Sequence, residues 1–130
     1  MAACGLTHVA VVEDDESARR ALSRLLRADG MQPVGYASAE AFLADNNQPV
    51  FDCLVLDIEL GGMSGIQLQR QLKAAGSSTP VVYLTGHGEP STREQALALG
   101  CAAYLSKTSP GKVVVQAIRD AVHPKDVPHS

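Results

Sequence analysis

The sequence lacks the features that would direct a small protein to nucleic acid, into a membrane or out of the cell. It has no basic cluster: 11 lysines and arginines stand against 14 aspartates and glutamates, a formal charge of −3, and the pI is 5.7. An intrinsic nucleic-acid binder usually carries a basic stripe and a high pI, so no direct nucleic-acid contact is expected. No apolar run approaches the roughly 20 residues that span a bilayer, so no membrane partner is expected either. The opening residues, MAACGLTH, lack a basic stretch followed by an apolar core; no secretory leader is expected, and a cytoplasmic address follows. Cys4, Cys53 and Cys101 show no C-x-x-C spacing, and His8, His87, His123 and His129 show no metal-ligand spacing. Reduced thiols packed as small hydrophobes explain the cysteines, since Cys53 and Cys101 lie in or beside apolar runs. No low-complexity tract is present.

What is present is alternation. The chain has 130 residues and is 45% hydrophobic, the size of one domain of roughly 100–150 residues. Five short apolar runs recur: His8–Val12, Pro33–Ala37, Asp52–Asp57, Val81–Thr85 and Ala102–Ser106. They are rich in Val, Leu and Tyr and too short for buried helices, so they read as strands. The first, third and fourth are apolar without alternation, the pattern of strands covered on both faces.

Segments of helical periodicity lie between them. The first places Ala18, Leu22, Leu25 and Leu26 on one face and stops at Asp29-Gly30. Ser38 is a candidate cap for a short helix carrying Phe42 and Leu43. Ser64-Gly-Ile-Gln67 and Ser91-Thr-Arg-Glu94 both match the capping-box pattern, with helix ends near Gly76 and Gly100. The last helix is expected to open with Pro110 as its first helical residue and to align Val114, Ala117, Ile118, Ala121 and Val122. Five βα units predict a doubly wound α/β fold with a five-stranded parallel sheet and helices on both faces. Residues 1–123 form the expected domain, and 124–130 read as a tail or linker stub.

In open α/β sheets the functional crevice lies outside the carboxyl ends of the strands. The first strand runs into Glu13-Asp14-Asp15, the third into Asp57 and the fourth ends at Thr85, while Lys107 follows the fifth. Each group alone has a plain explanation: Asp14 or Asp15 could cap a helix, Asp57 could end a strand, Thr85 could be an ordinary strand residue, and Lys107 could be solvated. Their conjunction at four strand ends points instead to phosphoryl transfer onto a carboxylate. Clustered carboxylates suit a hard divalent cation, Asp57 is a candidate nucleophile, and the lysine and threonine can offset charge on phosphoryl oxygens.

These segments resemble a family. Val11-Val-Glu13-Asp14-Asp15-Glu-Ser, Leu54-Val-Leu-Asp57-Ile-Glu-Leu, Met63-Ser-Gly65, Leu84-Thr85-Gly86-His87 and Tyr104-Leu-Ser-Lys107 resemble the receiver domain of two-component response regulators, from about Val9 to Val122. The resemblance implies the flavodoxin-like strand order 2-1-3-4-5 and a bacterial, cytoplasmic signalling switch that is not a dedicated enzyme. It implies Asp57 as phosphoacceptor, with Mg²⁺ or Mn²⁺ held by Glu13, Asp14, Asp57 and the backbone carbonyl of Glu59, Glu13 acting partly through a water. Asp15 lies one step outside that set, a register taken from the six-residue step between Glu13 and Arg19. Thr85 and Lys107 are implied to bind the phosphoryl group beside the small Gly86. Thr85 and Tyr104 are implied to form the switch, Tyr104 turning inward on phosphorylation. As a plain strand aromatic, Tyr104 would instead keep its hydroxyl in water. The implied partners are a sensor histidine kinase or a phosphotransfer protein. A homodimer is implied through the face of the fourth helix, fifth strand and fifth helix, or through the first and fifth helices. His87 and Glu59 occupy positions that tune the lifetime of the phosphorylated state.

Two departures from the family pattern stand out. Thr108 follows Lys107 where proline is usual, often with a cis bond, and a non-proline cis bond costs about 3–4 kcal/mol. Gly61 replaces a proline common after the acceptor, so Gly61-Gly62 should loosen that loop. Neither change removes a catalytic group. A haloacid-dehalogenase-like phosphohydrolase also uses a strand-end aspartate and Mg²⁺. It would want Asp-x-Asp where this chain has Asp57-Ile-Glu59, and its cap domain would not fit. A flavin carrier on the same fold is opposed by the acidic loop after the first strand. A degenerate receiver serving only as an interaction module is disfavoured because every site residue is present.

Overall fold

The computed structural model describes residues 7–86 and 90–123. Its strands are β1 (His8–Val12), β2 (Gln32–Tyr36), β3 (Cys53–Leu56), β4 (Val81–Thr85) and β5 (Ala103–Ser106). They pair in parallel in the order β2-β1-β3-β4-β5. Composition sorts them within the sheet. The unbroken apolar runs β1, β3 and β4 are the three inner strands, and all their residues except His8 and Leu84 are buried. The more mixed β2 and β5 form the edges, with Gln32, Gly35 and Ser106 exposed.

The helices are α1 (Glu16–Ala28), α2 (Ala39–Ala44), α3 (Gly65–Ala74), α4 (Pro90–Ala98) and α5 (Gly111–Val122). Side chains alternate across a strand, so each inner strand feeds two cores. Val9, Val11, Cys53, Val55 and Val82 pack with Leu26 of α1 and Val114, Val115 and Ile118 of α5. Ala10, Val12, Leu54, Leu56 and Tyr83 pack on the other side with Phe42 of α2, Ile66 and Leu68 of α3, and Ala96 of α4. Fully buried side chains such as Leu26, Leu68 and Ile118 each contribute about 1.5–3 kcal/mol by leaving water. From β1 the chain crosses to β2 on one side and, after β3, proceeds to β4 and β5 on the other. The C-terminal ends of β1 and β3 therefore flank the point where strand order reverses, the crevice position of this fold class.

Several helix ends follow the sequence reading. Asp15 caps α1 by accepting from the Ala18 amide at 2.8 Å, Ser38 caps α2 from the Ala41 amide, and Ser64 with Gln67 forms a reciprocal capping box on α3. Gly30, Gly76 and Gly100 follow the ends of α1, α3 and α4. Two starts differ from expectation. Proline opens α4, not α5: Pro90 is the first helical residue, which moves Ser91 into the first turn and out of a capping role. Pro110 has φ −57° and ψ 147°, an extended conformation at the cap position, so α5 begins at Gly111 with no side-chain cap.

The solvent side of α1 carries exposed Arg20, Arg24 and Arg27, a local basic concentration that the overall charge of −3 conceals. Cys53 is buried and free, and burial pushes its thiol up to about 12, while free Cys101 is half-buried. Among the described residues no helix is long and apolar enough to cross a membrane. Cys4, His87, His129 and the expected tail at 124–130 lie outside the described residues.

Candidate functional site

The parallel ladder delivers the acidic groups to one edge. Glu13 follows β1 directly and Asp57 follows β3, and the Asp57 amide donates to the Val12 carbonyl at 3.2 Å, which holds the two strand ends side by side. Both carboxylates are buried, at 6% and 5% exposure, whereas Asp14 between β1 and α1 is exposed. One oxygen from each of Glu13, Asp14 and Asp57 lies within 4.8 Å of the others. Asp15 is outside this trio and caps α1. Arg19 explains the register physically: its Nη1 donates to the Glu13 carbonyl at 2.8 Å, and its stem lies across Gly35 of β2.

Lys107 reaches into the trio from the end of β5. Its Nζ lies 2.6 Å from Glu13 Oε1 and 2.8 Å from Asp57 Oδ2. Burial pulls the ammonium's pKa down, but the hydrogen bonds to Asp57 and Glu13 outweigh it and hold the pKa above its ordinary value. Burial raises the Glu13 carboxyl above the usual range against the pull of Lys107 and the Asp15 amide, and the neighbouring charge of Asp57 adds to the rise. Two of the three carboxylates pair with the one ammonium, which leaves negative charge to be offset. Closely set hard oxygens with excess negative charge fit a cation such as Mg²⁺.

Thr85, 3% exposed, ends β4 opposite Ser106. Its carbonyl accepts from the Lys107 amide at 2.9 Å, so threonine and lysine are anchored to one another. A Cβ at Gly86 would make ordinary contact with Lys107 Cδ at 3.8 Å, which places this glycine beside the lysine stem. The Glu59 amide donates to Asp57 Oδ1 at 3.1 Å, bringing the peptide group of Glu59 next to that carboxylate.

The loop after β5 has a trans Lys107–Thr108 bond, with no cis bond among the described residues. It is organised by Ser106, whose Oγ accepts from the Thr108 amide at 3.1 Å and lies 2.7 Å from Thr108 Oγ1. A proline at 108 would have no such amide to donate. Tyr104 sits two residues short of the strand end, its ring 6.0 Å from that of Tyr83 and 6.0 Å from Arg93 Cζ. Its hydroxyl is buried and has no hydrogen-bond partner among the described residues, so the strand aromatic with a wetted hydroxyl is not what forms. Burial raises this phenol's pKa, with Arg93 opposing.

Sequence reading assigned no role to three residues that shape the site. A Cβ at Gly65 would stand 2.3 Å from the Asp57 carbonyl oxygen, so the start of α3 approaches the Asp57 backbone as only glycine allows. The Tyr83 hydroxyl donates to Gln69 Oε1 at 2.6 Å and reaches the Gly65 carbonyl at 3.2 Å, pinning α3 to β4. Glu40 of α2 accepts from the Met63 amide at 2.8 Å. The Met63-Ser-Gly65 motif was a partial signal for the glycine; nothing in the local pattern marks the other two.

Comparisons with known proteins agree with this geometry. A sequence profile of the family described as "Response regulator receiver domain" matches residues 9–119. The chain is similar to the response regulator protein TodT of Pseudomonas putida, 34% identical over 112 residues, covering 86% of this chain and 49% of that protein. It is also similar to the transcriptional regulatory protein FixJ of Azorhizobium caulinodans, 35% identical over 112 residues, covering 85% of this chain and 53% of the relative. The chain thus spans about half the length of the curated relatives it matches. The crystal structure of FixJ-N superposes with a TM-score of 0.84 at 30% identity, covering 93% of this chain and 97% of that one.

Proposed function

Because the chain belongs to the response regulator receiver domain family, we propose that it is a phosphoacceptor switch of a two-component phosphorelay. The observation that carries this reading is the convergence on Asp57: a buried carboxylate, two further acidic groups within 4.8 Å and a lysine ammonium at 2.8 Å. A sensor histidine kinase or a phosphotransfer protein supplies a phosphohistidine. A carboxylate oxygen of Asp57 attacks phosphorus; the O–P bond forms as the N–P bond breaks, and the electron pair departs with the imidazole nitrogen. Glu13, Asp14, Asp57 and the Glu59 carbonyl would hold Mg²⁺ or Mn²⁺, which when bound would compensate charge at the transferring group. Lys107 exchanges a carboxylate for a phosphoryl oxygen, and Thr85 offers its hydroxyl to another.

The readout is a surface change. The Thr85 hydroxyl moves toward the phosphoryl group, and Tyr104, whose shielded hydroxyl has no partner among the described residues to hold it, repacks with it. The α4-β5-α5 face then suits a partner or a second copy, with the α1-α5 face as the other dimer surface. A local charge change thereby biases a two-state element. The switch module extends over residues 1–123, with 124–130 as a tail or linker stub, and direct nucleic-acid contact is not part of its role.

Acetyl phosphate with Mg²⁺ should add one phosphoryl group to the wild-type protein in intact-mass spectra and none to Asp57→Asn. An unchanged wild-type mass, or the same gain in both proteins, overturns the reading.

A further inference from the structure

The loop that carries Asp57 into α3 is built to be loose in its middle. Gly61 and Gly62 offer no side chains, and Gly62 has φ +86°. Both ends are nevertheless held. At the start, Asp57 Oδ1 accepts from the Glu59 amide. At the far end, Gly65 lies against the Asp57 backbone and Tyr83 grips the first turn of α3. That leaves the stretch through Gly62 and Met63, which is grasped from another element.

Glu40 lies in the first turn of α2, whose start is set by Ser38. Its Oε2 accepts from the Met63 amide at 2.8 Å, and the same oxygen would stand 2.8 Å from a Cβ at Gly62. Gly62 is therefore matched to Glu40: any side chain there would meet both a strained φ and the carboxylate. The hydrogen bond also stabilises the ionised form, holding the Glu40 carboxyl below the usual range. A glycine that loosens the loop is thus also the residue that admits its tether.

We propose that Glu40 is a positioning residue for the phosphoacceptor loop, holding the Met63 amide from α2 and so setting where the Glu59 carbonyl stands relative to Asp57. The inference rests on the phosphoacceptor reading above, in which that carbonyl is a metal ligand. Groups that orient metal ligands from outside the coordination sphere govern affinity without touching the ion. Glu40 is exposed, so its removal leaves the cores intact.

The test uses the whole chain and the variants Glu40→Ala and Glu40→Gln, with Mg²⁺ alone as the probe. In Glu40→Ala the Met63 amide should exchange faster with solvent in the absence of metal, and the Mg²⁺ dissociation constant should rise about tenfold. The urea midpoint should stay at the wild-type value. Glu40→Gln keeps an acceptor oxygen and should restore both the protection and the affinity. A wild-type Mg²⁺ constant in Glu40→Ala overturns the proposal, as does an affinity loss that tracks a fallen urea midpoint and is not rescued by glutamine. If the wild-type protein neither binds Mg²⁺ nor accepts a phosphoryl group, the functional reading falls and takes this inference with it. If it does both and Glu40→Ala matches it, the inference alone falls.

Discussion

Two loops border the acidic cluster, and each lacks a proline that receiver domains usually carry there. They are held by different means. The β5–α5 loop is tied locally: the Ser106 hydroxyl takes the Thr108 amide and pairs with the Thr108 hydroxyl, both across two residues. The β3–α3 loop is tied from a distance, by Glu40 across 23 residues and by Tyr83 across 18. A rigid ring in the backbone can thus be replaced by a neighbouring hydroxyl or by groups on other elements. Only the first kind leaves its trace where the proline is missing.

The sharpest way to break this comparison is Gly65→Ala. The added carbon would meet the Asp57 carbonyl oxygen at 2.3 Å and the Ile58 Cα at 3.2 Å, both backbone atoms that cannot rotate away. Moving α3 off β3 should cost about 3 kcal/mol in urea unfolding. A cost of a few tenths would show that the distant ties leave the start of α3 free to shift. A smaller effect should come from Ser106→Ala, which removes an exposed local tie; about 1 kcal/mol or less is expected. Exchange of the Thr108 amide should accelerate while that of Met63 does not, and a change at Met63 would mean the two loops are coupled.

The smallest effect separates the ties by acid. The Glu40 carboxyl is held below its ordinary value of 4.5 by the Met63 amide. Its contribution is therefore fully present above pH 4.5 and is lost as pH falls through the lowered native value. The Met63 amide resonance should titrate in that acid range and stop doing so in Glu40→Gln. The Thr108 amide, bound to a hydroxyl, should show no matching step.

The strand ends were legible because each chemical group lies at the end of an apolar run: Glu13 after Val12, Asp57 after Leu56, Thr85 closing β4. Parallel pairing alone then brings them to one edge. Helix starts were less so. Ser91 fits a capping box in sequence, yet Pro90 claims the first helical position, and Pro110 takes an extended ψ ahead of α5. Pattern matching names the residues that can cap or open a helix; backbone torsion selects which one does.

By itself the sequence determined the number and kind of elements, which strands are interior, and which acidic groups reach one sheet edge, since burial periodicity and strand-end position are local properties. Tertiary structure alone decided that Lys107 bridges Glu13 and Asp57, that the Tyr104 hydroxyl is shielded, and that Glu40 and Tyr83 hold the β3–α3 loop. Those depend on distances between residues far apart in the chain, which follow from how the helices pack on the sheet and leave no mark in any single segment.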